Sequence, residues 1–108
     1  MHENFLAENQ SIAAVAIDYQ HGDCEPIHSH RCSQLIHALS GVVQVSTPLG
    51  VWMVPSGRGV WLPAHVSHSL RFIGGVQART LFVDPLARAD LPSQCQVVQV
   101  SPLLRELI

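Results

Sequence analysis

The stretch that decides the fold is 22–41, which reads GDCEPIHSHRCSQLIHALSG. On a β-strand, residues two apart point to the same side, so the spacing predicts that His28 and His30 share one face, with Cys32 beside them. Two imidazoles at this spacing can bind one metal ion, and Gln34 follows closely enough to add an oxygen ligand. The pattern predicts a candidate metal site.

A second stretch, 57–72, reads GRGVWLPAHVSHSLRF and supplies a third histidine. His68 begins a predicted strand after a proline turn. Leu70 and Phe72 share its side of that strand, so we predict that they line the interior of the domain. The two stretches together predict a pocket with a few polar groups and an apolar wall.

Side-chain parity assigns the remaining candidates. Ile36 shares the side of Gln34, whereas His37 faces the other way and is excluded from the site. The candidate ligand-binding residues are those on the same faces as the metal candidates: Cys32, Ile36, Leu70 and Phe72. For Cys32 the favoured interpretation is a small buried hydrophobe, a common role of free cysteine, with a soft metal ligand or a pocket wall as the alternative. Trp61 is predicted to pack in the core, with stacking on a ligand as the alternative.

Short apolar runs that are cut by glycine and proline predict an all-β protein. The predicted strands are 12–19, 26–32, 34–40, 42–47, 50–54, 58–62, 66–73 and 76–83, with one more near 96–100. The short breaks leave no room for helices between strands, which excludes a parallel α/β fold. An antiparallel sandwich or barrel fits the pattern.

The length of 108 residues corresponds to one domain. We expect a flexible N-terminal segment over 1–11, a barrel domain over 12–100 and the start of a helix over 101–108. Ser101 and Pro102 suit the first positions of that helix. Because the helix would stop early and without a glycine cap, we expect the chain to be part of a longer protein. A short terminal helix docked on the sheet is the alternative.

Composition narrows the possible function classes. The chain is 47% hydrophobic and 13% charged, its net charge is −2, and all six basic residues are arginine. Such a chain lacks the basic stripe that binds phosphates, so we exclude nucleic-acid binding by this chain itself. The longest aliphatic run, 12–17, is too short to span a bilayer. With no recognisable signal peptide and an odd count of three cysteines, the sequence predicts reduced thiols and a cytoplasmic protein.

The two histidine stretches resemble the two cupin motifs. The first motif, G-x5-H-x-H-x3,4-E-x6-G, is matched by Gly22, His28, His30, Gln34 and Gly41. Its one departure is Gln34 in place of glutamate. The second motif, G-x5-P-x-G-x2-H-x3-N, is matched at Gly57, Pro63 and His68, with His65 in place of glycine and Phe72 in place of asparagine. The resemblance implies a double-stranded β-helix, the cupin jelly roll, with its site inside the barrel.

The cupin resemblance also implies a set of metal ligands. Position by position, it makes His28, His30 and His68 the metal-binding histidines and puts Gln34 in the place of the carboxylate. Because a carboxamide is neutral, such a site would hold a hard divalent ion less tightly and would favour Zn or Ni over Fe or Mn. The alternative is a polar histidine cluster in a barrel without metal.

Other stretches resemble the amino-terminal sensor domain of AraC-type transcription regulators. They are 33–45, 47–55, 60–68 and the closing 100–108. The resemblance implies an effector-sensing and dimerisation domain that binds a small molecule inside the barrel and forms a homodimer. It also implies that DNA contact belongs to a C-terminal domain absent from this chain. We expect the aliphatic run 12–17 to be an edge strand suited to the dimer contact.

A stand-alone metal-dependent cupin enzyme, of the dioxygenase or isomerase type, is the alternative function. It is disfavoured because none of the eight acidic residues lies on the predicted ligand faces, where it could act as a general acid or base. The exchange of glutamate for Gln34 also removes the negative ligand that oxygen-activating cupins usually supply. We therefore assign no catalytic residue.

Overall fold

Nine β-strands form the regular structure of the described residues, which in this computed structural model are 12–29, 31–86, 92 and 94–99. In chain order the strands are β1 Ile12–Tyr19, β2 Cys24–His28, β3 Ser33–Ala38, β4 Val42–Thr47, β5 Gly50–Pro55, β6 Arg58–Leu62, β7 His68–Ile73, β8 Val76–Val83 and β9 Gln96–Gln99. The predicted all-β class is confirmed. The predicted terminal segments, 1–11 and 101–108, lie outside the described residues. No described segment is a helix long and apolar enough to cross a membrane.

The strands form two antiparallel sheets. The five-stranded sheet has the order β1-β8-β3-β6-β9, and the four-stranded sheet has the order β2-β7-β4-β5. β4 and β5 pair directly as a hairpin, while most other connections cross from one sheet to the other. This repeated crossing is the topology of a jelly roll, as the sequence predicts.

One apolar cluster fills the space between the sheets, because alternate residues of each strand point inward. Its buried members are Val43, Val45, Val54, Leu70 and Phe72 from the four-stranded sheet and Ile36, Ala38, Val60, Leu62, Val76 and Ala78 from the five-stranded sheet. In β7, His68, Leu70 and Phe72 are buried while Arg71 is exposed. The predicted inward parity of this strand is therefore confirmed.

A second, smaller apolar cluster lies on the outer side of the five-stranded sheet. It joins Leu35, Trp61 and Val83. The indole Nε1 of Trp61 donates a hydrogen bond of 2.9 Å to the carbonyl oxygen of Pro92. Trp61 thus packs in an apolar cluster, and its ring lies on the side of the sheet away from the barrel interior.

The connection between β2 and β3 differs from the prediction. β2 ends at His28 and β3 begins at Ser33, so the predicted strand over 26–32 is wrong at its carboxyl end. β2 belongs to the four-stranded sheet and β3 to the five-stranded sheet, so the chain changes sheets between these two strands. Because strand parity applies only within a strand, it does not extend from His28 to Cys32.

Gly41 lies where two turns approach each other closely. Its φ is 73°, in the left-handed region. A Cβ at this position would lie 2.7 Å from the carbonyl oxygen of Gly75 and 2.7 Å from Cγ2 of Val76. Only glycine satisfies both the backbone angle and the space, which explains the residue that closes the first histidine stretch.

Candidate functional site

Two of the predicted ligand histidines lie side by side. His28 ends β2 and is paired in register with His68, the first residue of β7. Their ring centroids are 4.4 Å apart and their planes meet at 64°, an edge-to-face contact. His68 is buried and His28 is half-buried. The pairing of β2 with β7 therefore brings together two histidines that are far apart in the sequence.

A bulge in β2 sets the position of His28. Glu25 pairs with Leu70, and the next pair is His28 with His68. β2 thus advances by three residues where β7 advances by two, which is a β-bulge. Pro26 lies in the bulge of this edge strand, where its missing N–H interrupts no ladder hydrogen bond. The local sequence therefore favours the irregularity that turns His28 toward its partner.

Both histidine rings are held through Nδ1 by a main-chain carbonyl group. Nδ1 of His28 lies 2.6 Å from the carbonyl oxygen of Pro26, and Nδ1 of His68 lies 2.9 Å from that of Val66. Because a carbonyl oxygen only accepts, each Nδ1 carries the proton and donates it. The lone pair of each ring then resides on Nε2, the nitrogen that can bind a metal ion or accept a hydrogen bond from a ligand.

Gln34 lies on the inner side of β3, as predicted. It is 5% exposed, and its strand neighbours are Leu62 in β6 and Phe82 in β8. No described residue donates a hydrogen bond to its Oε1. A buried carboxamide oxygen without a donor costs about 1–3 kcal/mol. The position therefore favours a cation or a ligand N–H or O–H group near Oε1.

Two other predicted site residues, His30 and Cys32, lie between His28 and Gln34 in the sequence. His30 lies outside the described residues. Cys32 is buried, at 4% exposure, in the connection that precedes β3. Across 12–29 and the other described ranges, no group of three His, Cys, Asp or Glu side chains is close enough to hold a metal ion. The structure thus brings His28 and His68 together, and the complete predicted ligand set stays a prediction.

The predicted ligand-binding residues inside the barrel are tightly packed. Ile36 and Phe72 belong to the main apolar cluster, and Tyr19 stacks on Phe72 with ring centroids 3.6 Å apart and planes inclined by 5°. Burial, and after it the negative charges of Glu25 and Asp23, together raise the pKa of Tyr19 to about 12. The sequence analysis missed Tyr19, although its place in the inward alternation of β1 was a usable signal.

A cavity of about 240 Å³ opens beside His68. Its lining includes Ile27, Ser46, Thr47, Ser67, His68 and Ser69. The surface that lines the cavity is mainly apolar, and the hydroxyl groups add a few positions that can donate or accept hydrogen bonds, so the cavity suits a small, mainly apolar ligand with one or two polar groups. His68 was predicted from the sequence, but the serine and threonine residues were not, because these residue types are common on protein surfaces.

His65 adopts a backbone conformation that is rare for residues other than glycine. Its φ is 68°, and it lies in the turn between β6 and β7. The same turn is fixed by a 3.2 Å hydrogen bond from the N–H of Ala64 to Oγ of Ser33. His65 occupies the position of a glycine in the second motif, so the structure keeps the turn that the glycine would form.

Comparison with known proteins gives a consistent family. A family profile described as AraC-like ligand binding domain matches residues 9–108. The HTH-type transcriptional regulator NimR of Escherichia coli strain K12 is 39% identical over 99 residues, which is 89% of this chain and 36% of the regulator. The chain therefore spans about a third of the length of this curated relative.

Solved structures show the same fold. An RmlC-like cupin from Shewanella frigidimarina superposes with a TM-score of 0.64 at 25% identity, over 70% of this chain and 68% of that protein. An oxalate decarboxylase variant from Bacillus subtilis has a TM-score of 0.64 at 20% identity, over 70% of this chain and 22% of the enzyme. These similarities confirm the predicted cupin jelly roll; the second shows the fold alone.

Proposed function

Because this chain belongs to the AraC-like ligand-binding domain family, we propose that it binds a small-molecule effector and one divalent metal ion. In this proposal the chain is the sensing domain of a transcription regulator. Binding would shift the population of a DNA-binding unit that is attached to the domain, which requires different effector affinities in two states. The observation that carries the proposal is the His28–His68 pair with both Nδ1 atoms held by carbonyl groups.

The donor atoms support a metal site of the predicted kind. The Nε2 atoms of His28 and His68 carry the lone pairs, and Oε1 of Gln34 is buried without a described donor. His30 would be the third histidine of the set. When bound, a divalent ion would act as a Lewis acid that orients an oxygen or nitrogen atom of the effector. The neutral donors favour Zn or Ni over Fe or Mn.

The test is the metal content of the untagged protein, measured by plasma mass spectrometry before and after soaking with Zn²⁺. We expect about one equivalent per chain in the wild type and almost none in the His28→Ala/His68→Ala double variant, because both lone-pair nitrogens are removed. His65→Ala is the matched control, since it removes an exposed histidine of the neighbouring turn that is not in the proposed ligand set.

Each outcome of this experiment has one meaning. Equal metal content in the wild type and the double variant would refute the assignment of the histidines. The single variant His28→Ala, at a half-buried position, gives the same test if the double variant does not fold. One equivalent of Fe in protein from cells would favour the alternative of a stand-alone cupin enzyme.

A further inference from the structure

We infer that a crevice on the outer side of the four-stranded sheet binds a small organic acid, with its carboxylate on Arg71 and its apolar body against Ile27. The inference rests on the proposed function only in identifying this acid as the effector. The crevice has a volume of about 640 Å³, within the size range of small-molecule sites. Its lining reaches the main apolar cluster at Leu70, but neither Ile36 nor Phe72 lines it.

The floor of the crevice is built from outward-facing residues of β7 and β4. Arg71 pairs in register with Gln44, and Ser69 pairs with Ser46. Because residues two apart on a strand share a side, these four side chains form two adjacent rows on one surface. Together they provide one guanidinium, one carboxamide and two hydroxyl groups, which are the groups that hold and orient a carboxylate.

The wall of the crevice is the bulged edge strand β2. Pro26 and Ile27 lie within the bulge between Glu25 and His28, and the side chain of Ile27 is 77% exposed. An isoleucine this exposed on a concave surface offers apolar area that a ligand can cover. At about 25 cal/mol per Å² of apolar area covered, such a contact adds to the affinity of a small ligand.

The charge of the crevice comes from Arg71. Among the described residues, Arg71 makes no ion pair, and its register partners Cys24 and Gln44 are uncharged. Glu25 also lines the crevice, but it pairs with the inward-facing Leu70. Its negative charge helps to raise the pKa of Tyr19, a residue that packs against the main apolar cluster. The outward-facing charge is therefore positive, which complements an anion.

The crevice continues toward the histidine pair. It shares Ile27, Ser46 and Ser69 with the cavity beside His68. Arg71 lies three positions after His68 along β7, a distance of about 10 Å. An organic acid whose carboxylate binds Arg71 can thus extend past the hydroxyl groups of Ser69 and Ser46 to the cavity beside His68.

The test uses benzoate as the probe and benzamide as its neutral counterpart, added to the 108-residue chain and followed by amide nuclear magnetic resonance. Titration to about 20 mM covers a dissociation constant of a few millimolar. We expect benzoate to shift the amide signals of Ser46, Ser69 and Arg71, and benzamide to bind more weakly. Arg71→Gln should weaken benzoate binding about tenfold or more, because a charge-assisted hydrogen bond is lost.

The matched control is Arg79→Gln, which removes an arginine from the outer side of the other sheet, where it lies 3.8 Å from Asp18. We expect this variant to bind benzoate as the wild type does. The inference is overturned by no binding, by equal binding of benzamide, by equal loss in both arginine variants, or by shifts centred on Ile36 and Phe72. The metal content of the same wild-type protein is measured separately, so benzoate binding without metal, or metal without benzoate binding, distinguishes failure of the metal site from failure of the crevice.

Discussion

Gly41 and Gly57 share a left-handed backbone but differ in their surroundings. Their φ angles are 73° and 85°. A Cβ on Gly41 would lie 2.7 Å from the Gly75 carbonyl oxygen, whereas nothing lies within 4 Å of a Cβ on Gly57. We expect Gly41→Ala to lower the free energy of unfolding by about 3 kcal/mol and Gly57→Ala by about 1 kcal/mol, since only the first adds a steric clash to the backbone strain.

Urea unfolding of the two variants measures this difference. Gly57→Ala is the internal control, because it carries the same backbone strain without the clash. Equal losses of stability in the two variants would show that the close approach between Gly41 and Gly75 is not a constraint on the fold.

We expect the protein to be less stable with His65 in this turn than it would be with the glycine of the second motif. A residue with a Cβ costs about 1–2 kcal/mol in the left-handed region, so glycine at this position would relieve strain in the folded state. Glycine also has more conformational freedom in the unfolded chain, which offsets part of this stabilisation. We therefore expect His65→Gly to raise the free energy of unfolding by about 0.5–1 kcal/mol. His65→Ala keeps the Cβ and should change the stability little. Thermal unfolding of both variants tests this, and a lower melting temperature of His65→Gly would contradict it.

The sequence predicts the side of a strand on which a residue lies better than it predicts backbone angles. Gln34, Leu70 and Phe72 all lie on the predicted inner side, because strand alternation has a period of two and tolerates small errors in strand ends. The left-handed angle of His65 depends on contacts across the turn, such as that of Ala64 with Ser33, which a single sequence does not reveal.

The contact between β1 and β7 can be followed through the single tyrosine of the chain. Tyr19 of β1 stacks on Phe72 of β7, and burial raises its pKa to about 12. The two tryptophans add a constant absorbance at 295 nm, and the rise with pH reports tyrosinate, so we expect a titration midpoint near pH 12 in the folded protein. In urea the midpoint should return to about 10.

The same shift predicts how stability depends on pH. Because the folded pKa lies above the unfolded value, the folded chain holds its proton more tightly, and the stability contribution is complete below about pH 10. It is lost as the pH rises through about 12. Tyr19→Phe removes this component, and an unchanged pH dependence in that variant would contradict the assignment.

At the scale of elements, apolar runs and glycine or proline breaks predict all nine described strands. The error falls at β2, which ends at His28 because the chain must leave one sheet for the other. The bulge around Pro26 depends on pairing with β7. Pairing partners that are distant in the sequence leave no local pattern, so neither the bulge nor the crevice beside it was predictable.

For the whole molecule, we expect a homodimer that forms through β1. This strand is an edge of the five-stranded sheet, its exposed residues alternate with half-buried ones, and Ile12 is 55% exposed. Lysine on an edge strand opposes pairing with a second copy. Ala14→Lys should therefore shift the protein from dimer to monomer in sedimentation velocity without unfolding it.

The matched control lies on the edge strand of the other sheet. Met53 of β5 is 52% exposed, so Met53→Lys places the same charge at a comparable position. We expect this variant to remain a dimer. If Met53→Lys were a monomer and Ala14→Lys a dimer, the dimer interface would have to be assigned to β5 and not to β1.

The two tryptophans lie in different clusters, and this separation gives the protein two optical reporters. Trp52 packs against the main cluster between the sheets, whereas Trp61 belongs to the outer cluster near Pro92. With Trp61→Phe, the remaining fluorescence reports the barrel interior; with Trp52→Phe, it reports the outer side of the five-stranded sheet. A pair of single-tryptophan proteins can thus show whether a bound molecule changes the barrel, the segment packed outside it, or both.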